Sequence, residues 1–387
     1  MNNQLKLFRK VNEIVLFDDN MIESAKECFQ DYVEKGIILT TNFEENKWET
    51  TNEYSNVSFI FNLNKFQYKR FYEQVFQLSF DDFVTYLKSF IVLSMEHHVL
   101  ITLQAFLRDI KKLVKEIKVN EVFSLANMKI SNPSVCIDFL STLPCLESNE
   151  LTQLIEQLDE LLNVSYQLNT KKQRKLAQFQ SYFLFNDILN DYWVKSLSDE
   201  ERLFYYPLYL WWQITAVVPL RPREFLLTQR NCLTEKDGKY YLTLRRNNLK
   251  GKDKGVSHKI SEDYYLTTYE VPFKLASEIL NYLELTKDLS STQLDTLFVT
   301  DSHYRKWKRI AGTKNRFLTY SNLNTILKYF FNEIVSQQYG YFVHHINSPN
   351  QLDDHEINFI HIGEALLKLK TVSRSYQEYL TEKHLSL

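Results

Sequence analysis

The feature that most constrains the fold is an uncharged run, LFYYPLYLWWQITAVVPL, from Leu203 to Leu220. Its length is close to that of a membrane-spanning helix, but it contains two prolines, a glutamine and several tyrosines, and Leu, Ile and Val are not in the majority. Ser198 followed by Glu201 forms a capping-box signature just before it, which is typical of the start of a soluble helix. We therefore predict a buried core helix rather than a membrane span.

The bulk properties limit the class of protein. A chain of 387 residues exceeds what one hydrophobic core usually fills, which predicts two or three domains. The net charge of -2 argues against indiscriminate coating of nucleic acid or membrane, so any site for a polyanion must be local. Four cysteines without CxxC spacing disfavour a zinc site and a disulfide framework. Together with an N-terminus that lacks an apolar signal core, they predict a cytoplasmic protein.

The pattern along the chain predicts a helical domain first. Residues 1–74 form an N-terminal region of unknown role, in which the alternating run NVSFIFNLN, from Asn56 to Asn64, predicts a strand. Residues 79–118 support two amphipathic helices and residues 148–192 two or three more. We expect these helices to form a bundle over residues 75–193, with a domain boundary near residue 194.

The second half, residues 194–387, mixes helices and strands. The uncharged helix ends at Pro219, and a second helix begins around Pro222. Asp237-Gly238 lies between two apolar runs and predicts a hairpin with a primed turn, because Asp and Gly readily take positive φ values. The stretch LKGKDKG, residues 249–255, predicts a second turn, and helices are expected over 273–287 and 321–338. The predicted fold class is mainly α with a small β component.

Positive charge is concentrated between Arg221 and Lys259. Eleven Lys or Arg residues (221, 223, 230, 236, 239, 245, 246, 250, 252, 254 and 259) stand against four acidic residues (224, 235, 237 and 253) in this stretch. Such focusing in a near-neutral protein indicates contact with a phosphate backbone, although a solvated hairpin would also carry exposed lysines. Glu224 follows Arg221 by one helical turn, where a carboxylate can hold a guanidinium in a fixed direction and leave part of its fork for a phosphate.

The apolar helix, the sequence LRPREFLL from Leu220 to Leu227, the Asp-Gly hairpin and the lysine-bearing turn resemble the tyrosine recombinase (phage integrase) family, over roughly residues 75–365. The resemblance implies a helical core-binding domain that clamps DNA, followed by a mixed α/β catalytic domain. It implies that Arg221 is a ligand of the scissile phosphate and that Lys250, with Lys252 as the alternative, is the catalytic lysine.

The activity implied by the resemblance is DNA strand breakage and rejoining through a phosphotyrosyl intermediate, without metal or cofactor. The expected partner is double-stranded DNA, with self-association on the DNA, and neither a membrane nor a small-molecule substrate is expected. Further contacts to DNA are predicted from five basic residues: Arg223, Arg245, Arg246, Lys252 and Lys254.

The C-terminal sequence departs from the family. The pattern expected there is a second arginine within a Gly-Asp-Thr-Arg-His or related motif, but Ile362-Gly363 is followed by Glu364-Ala365-Leu366. Arg374, Tyr376 and Tyr379 do not match the family context of the second arginine and the nucleophile. Because the degenerate codons for Glu364-Ala365-Leu366 include ones that read Arg-His after a one-base shift, our hypothesis is a frameshifted, truncated recombinase whose catalytic domain is incomplete and whose catalysis is impaired.

Two alternatives remain open at the sequence level. The first is a noncatalytic DNA-binding accessory protein that keeps the clamp. The second is a metal-dependent nuclease using the histidines and acids between residues 344 and 361, although no fixed-spacing signature organises them and we assign no metal site. Motifs for nucleotide hydrolysis and dinucleotide binding are absent from the sequence.

Overall fold

The computed structural model describes residues 16–69, 76–116, 125, 128–144, 149–171, 179–195, 197–248, 255–288, 295–299, 318–340, 343–345, 357–359 and 370–372. Over these ranges the chain is mainly helical with small antiparallel sheets, which confirms the predicted fold class. The chain divides into two compact units, Met1–Gln173 with Leu249–Asp263 and Arg174–Asn248 with Tyr264–Leu387.

The elements follow one another in this order: α1 (Asp19–Glu34), β1 (Lys47–Thr51), β2 (Asn56–Ile60), α2 (Phe80–Ser94), α3 (Leu100–Glu116), α4 (Pro133–Thr142), α5 (Asn149–Lys171), α6 (Phe179–Val194), α7 (Asp199–Val217), α8 (Pro222–Leu226), β3 (Leu233–Lys236), β4 (Lys239–Asn247), α9 (Ile260–Asp263), β5 (Tyr264–Val271), α10 (Phe273–Leu285), α11 (Tyr320–Tyr329), a π-helix (Phe330–Gln338), β6 (Val343–His345), β7 (Ile357–Phe359) and β8 (Lys370–Val372).

The first unit combines a β-hairpin with helices α1 to α5 and the short helix α9. The alternating run after Asn56 is a strand, as predicted, and it buries Val57 and Phe59 while its neighbours face outwards. It pairs antiparallel with β1, where Trp48 packs against the rings of Phe29, Phe43 and Phe61. The N-terminal region described from residue 16 therefore shares one core with helices α2 to α5.

A segment from Gly255 to Asp263, which connects β4 to β5, also belongs to the first unit. A Cβ atom on Gly255 would lie 2.9 Å from Cγ of Glu96, so the close approach requires glycine. Three hydrogen bonds fix the segment: Val256 N to Glu96 O at 2.6 Å, Ile260 N to a carboxylate oxygen of Glu53 at 2.6 Å, and Nε2 of the buried His258 with Met95 O at 2.8 Å.

The core of the second unit is built around α7. The capping box predicted at its start is present, because Ser198 Oγ accepts from Glu201 N at 3.3 Å and the Glu201 carboxylate accepts from Ser198 N at 3.4 Å. Every residue from Phe204 to Trp212 is buried, so the prediction of a core helix is confirmed. Among the described residues, no helix is both long and apolar enough to cross a membrane.

Helix α6 packs in the second unit, although a boundary near residue 194 would assign it to the preceding domain. Its aromatic side chains explain the packing, since Phe185 contacts Trp212 and Tyr192 contacts Tyr205 of α7. The π-helix that continues α11 closes the same cluster, with Phe330 against Phe185, Tyr192 and Tyr205.

The sheet of the second unit has the order β3-β4-β5, with both pairs antiparallel. Asp237 and Gly238 have φ values of 53° and 74°, so the predicted primed turn joins β3 to β4. Leu242 and Leu244 of β4 are buried on the side of the core. The far end of β4 carries Arg246, which forms part of the candidate site.

Candidate phosphate-binding site

Arg221 lies in the connection between the core helix α7 and the short helix α8. Pro222 occupies the first turn of α8, where its fixed φ suits a helix start, and the residue before a proline avoids the helical region. Arg221 accordingly has an extended backbone, with φ -79° and ψ 148°. Its side chain is half exposed, so the guanidinium is accessible.

Glu224 is a buried carboxylate that organises this connection. Its side chain is 2% exposed. One oxygen accepts from Arg221 N at 2.9 Å, and the other accepts from Asn247 N at 2.9 Å and from Arg221 Nη1 at 3.1 Å. Because a buried carboxylate needs partners of this kind, Glu224 fixes both the direction of Arg221 and the position of the end of β4.

Arg246 on β4 shares the same carboxylate. Its Nη1 lies 3.8 Å from Glu224 Oε2 and donates to Pro219 O at 2.7 Å, and the side chain is 24% exposed. Two guanidinium groups from different elements therefore meet at one carboxylate, which leaves a net positive charge. Among the described residues, Nε and Nη2 of both arginines make no further hydrogen bond.

The other basic residues predicted to contact DNA are arranged differently. Arg245 lies on the opposite face of β4 from Arg246, because side chains alternate along a strand, and its Nη1 donates to Leu227 O at 2.7 Å. Arg223 is exposed on α8. Arg230, counted in the same basic stretch, donates to the carbonyl oxygens of Leu297, Leu283 and Thr286, and so has a structural role.

Several predicted site residues lie outside the described residues. They are Lys250, Lys252 and Lys254 in the turn after β4, and Arg374, Tyr376 and Tyr379 near the end of the chain. Most of the proposed nuclease cluster between 344 and 361 lies outside them as well. Within the ranges that the structure describes, no group of three His, Cys, Asp or Glu side chains could hold a metal ion.

Tyr265 is a neighbour of the site that sequence reasoning missed. It is the cross-strand partner of Arg246 in the β4–β5 pair, and it is 51% exposed. The alternation of the run YYLTTYEV indicates a strand, but the register that places Tyr265 opposite Arg246 depends on the length of the intervening segment. Only the structure supplies that register.

Tyr339, at the end of the π-helix, is a described tyrosine with acid and base partners. Its hydroxyl donates to Asp191 at 2.6 Å and accepts from Lys195 Nζ at 2.9 Å. Burial, with the Asp191 carboxylate, raises the pKa of Tyr339 to about 12, so the phenol stays protonated at neutral pH. Lys195 precedes α7 and Arg221 follows it, a separation of about 28 Å at 1.5 Å per helical residue. Tyr339 is therefore not a nucleophile for a phosphate at Arg221 of the same molecule.

Comparison with known proteins adds no family to this geometry. The chain matches no family model, no curated protein and no solved structure. The site itself, two arginines on one buried carboxylate beside an exposed tyrosine, is therefore the basis for the functional argument.

Proposed function

We propose that this protein binds DNA through its phosphate backbone, with Arg221 and Arg246 as phosphate ligands, and that it is a DNA-binding protein of the tyrosine recombinase type. The observation that carries the proposal is the buried Glu224 carboxylate that holds both arginines. A chain with a net charge of -2 has little general attraction for DNA, so a local and preorganised pair of cations is the feature to be explained.

The chemistry of the pair favours a phosphate. A guanidinium presents planar N–H groups that match phosphate oxygens, and an arginine already oriented by a carboxylate loses less conformational freedom on binding. The order of elements also accords with the resemblance, since an apolar helix, Arg221, an antiparallel hairpin and a further strand follow one another in the second unit.

The proposal covers binding, while strand cleavage stays a separate question. Cleavage through a phosphotyrosyl intermediate requires a nucleophile and a second transition-state arginine. From the sequence we expect neither to be in place, so no covalent adduct should form. A noncatalytic accessory role remains the alternative. Denaturing electrophoresis after incubation with a nicked duplex tests for catalysis: a resistant adduct would exclude the noncatalytic role, and its absence is expected of both.

The test is duplex binding measured by fluorescence anisotropy over a series of salt concentrations. Each phosphate contact contributes about 0.9 to the slope of log affinity against log salt. Arg246→Ala and Arg221→Ala should each weaken binding and reduce that slope by about 1. Circular dichroism checks the fold of each variant, because Arg246 also donates to Pro219 O.

Lys239→Ala is the matched control for this experiment. Lys239 is an exposed cation on the same strand, but it lies at the opposite end and pairs with Glu270 at 3.0 Å. Its removal should leave the slope unchanged. Equal slopes for Arg246→Ala, Arg221→Ala and the parent protein, or no binding of either duplex or single-stranded DNA even at low salt, would contradict the proposed function.

A further inference from the structure

Tyr265 and Arg246 form the last pair of the β4–β5 ladder on the face that carries the core. The pairs before it on this face, Leu244 with Thr267 and Leu242 with Tyr269, lead back into the buried side of the sheet. Directly opposed Cβ atoms in an antiparallel pair are about 4.5–5.5 Å apart. The side chain of Tyr265 therefore lies beside that of Arg246, on the core-facing side of the sheet but past the edge of the core.

An exposed tyrosine alone requires no explanation, because single apolar side chains are common on protein surfaces. Its position next to two cations is what matters. Arg246 lies 3.8 Å from the Glu224 carboxylate that also binds Arg221, so the tyrosine borders a site with positive charge. A ligand that satisfies both features has a phosphate attached to a flat, apolar group.

A nucleotide has this composition. Its phosphate is joined through one sugar to a base with two flat faces, and aromatic side chains beside a basic groove are the usual platform on which proteins stack the bases of single strands. In intact duplex DNA, neighbouring base pairs cover both faces of each base. Tyr265 can therefore stack only where the strand is unpaired, nicked or locally opened.

We propose that Tyr265 stacks on an unpaired nucleobase adjacent to the phosphate held by Arg221 and Arg246, so that the site takes single-stranded or locally opened DNA in preference to intact duplex. The inference rests on the proposed function, and it adds that the DNA bound at this site is unpaired. The occupant is supported by the charge of the arginine pair and by the exposed ring opposite Arg246.

The experiment compares three probes by anisotropy: a single-stranded oligonucleotide, the blunt duplex of the same sequence, and the single strand with abasic spacers. Tyr265→Ala should weaken binding of the single strand roughly 5- to 150-fold, the loss expected for one stacked base, and should leave the abasic strand unaffected. Tyr265→Phe should bind like the parent protein. Tyr265→Leu keeps apolar bulk without an aromatic face and should behave like Tyr265→Ala.

Phe273→Ala is the matched control, because Phe273 is an exposed aromatic residue in the same unit that contacts Tyr240, far from Arg246 along the sheet. It should bind all three probes unchanged. A 2-aminopurine in the single strand should be quenched by the parent protein and by Tyr265→Phe, but not by Tyr265→Leu.

The outcomes separate the two proposals. If the arginine variants weaken binding but Tyr265→Ala and Tyr265→Leu do not, the stacking inference is wrong and the proposed function stands. The same conclusion follows if the Tyr265 variants weaken binding of the abasic strand as much as binding of the intact single strand. Preference of the parent protein for the blunt duplex over the single strand also overturns the inference. If neither the arginine nor the tyrosine variants affect binding, or if no probe binds at low salt, both proposals fail.

Discussion

Lys88 is a lysine whose side chain is buried in the core of the first unit. Its side chain is 3% exposed, and its Nζ lies 5.7 Å and 5.5 Å from the ring centroids of Phe43 and Phe61. The carboxylate of Glu44, itself largely exposed, is 3.7 Å away. Burial lowers the pKa of Lys88 from its ordinary range, because desolvation outweighs the attraction of Glu44. The charge is tolerated rather than stabilising.

We expect Lys88→Met to leave the free energy of unfolding unchanged or to raise it by up to about 4 kcal/mol at pH 7, since a flexible apolar side chain fits among the aromatic rings. The pKa is lower in the folded than in the unfolded chain, where it is about 10.4. The unfolded state therefore binds more protons between the two values, and the stability of the parent protein rises with pH in that window.

The advantage of Lys88→Met over the parent protein should accordingly shrink as the pH increases from 7 towards 10. Urea unfolding at each pH measures the difference, with Lys26→Met on the exposed surface of α1 as the control. A marked loss of stability in Lys88→Met at pH 7 would show that the ion pair and ring contacts outweigh the desolvation cost.

At the residue scale, the sequence predicts contacts within one helical turn better than contacts across the fold. The spacing of Arg221 and Glu224 indicated an oriented arginine, and the bond is present at 3.1 Å. Arg246 joins the same carboxylate only because β4 ends beside α8. No local pattern specifies that placement, so its role beside Arg221 could not be predicted.

At the element scale, the N-terminus of α4 is stabilised by a side chain from another helix. The dipeptide Asn132-Pro133 marks the start, but Asn132 makes no side-chain capping bond. Asp109 of α3 acts instead. It is fully buried, and one carboxylate oxygen accepts from Ser131 N at 2.7 Å and from Asn132 N at 3.1 Å.

Removal of this carboxylate should destabilise the first unit. We expect Asp109→Ala to lower the free energy of unfolding by about 3 kcal/mol, because the N–H groups of Ser131 and Asn132 lose their acceptor and the amine of Lys112 loses one of its two acceptors. Chemical denaturation measures the change. Asp187→Ala, at an exposed position on α6, should change stability by less than about 0.5 kcal/mol. Equal stability of the two variants would contradict the assignment.

Local signals predict how elements begin and end, but not every feature within them. The capping box at Ser198 and the turn at Asp237-Gly238 were predicted and are confirmed, because each depends on residues close in sequence. A helix was expected over residues 321–338, and the chain instead changes from α-helix to π-helix at Phe330. Apolar periodicity identifies the buried face of a helix, but it does not distinguish the backbone hydrogen-bond pattern of an α-helix from that of a π-helix. The change at Phe330 could therefore not be predicted from the sequence.

On the scale of the whole molecule, the sequence predicts that helices have buried faces but not which partner covers them. The apolar pattern of α6 is equally compatible with packing in either unit. Its aromatic contacts with α7 place it in the second unit. Residues 16–69 shared no recognisable pattern with the following helices, yet they complete the same core. The functional roles predicted for the domains remain predictions.

The close approach at Gly255 provides a test at this scale. In the full chain, Gly255→Ala places a Cβ atom 2.9 Å from Cγ and 3.1 Å from the carbonyl oxygen of Glu96, which should cost roughly 1–3 kcal/mol. Hydrogen exchange should increase at the hairpin of β1 and β2, far away in sequence. Glu96→Ala in the same chain removes Cγ and should restore part of the protection. Exchange that increases only in β4 and β5 would show that the segment contributes nothing to the first unit.

Because Leu249–Asp263 completes the first unit, that unit is discontinuous in sequence. During synthesis on a ribosome, the hydrogen bonds of Glu53, Met95 and Glu96 with this segment cannot all form until it has left the exit tunnel. By that time all of α6 to β4 has also emerged. The first unit can therefore complete its folding only after a large part of the second unit has been synthesised. A recombination event with a single crossover could not transfer either of them intact to another gene, so they are inherited as a pair.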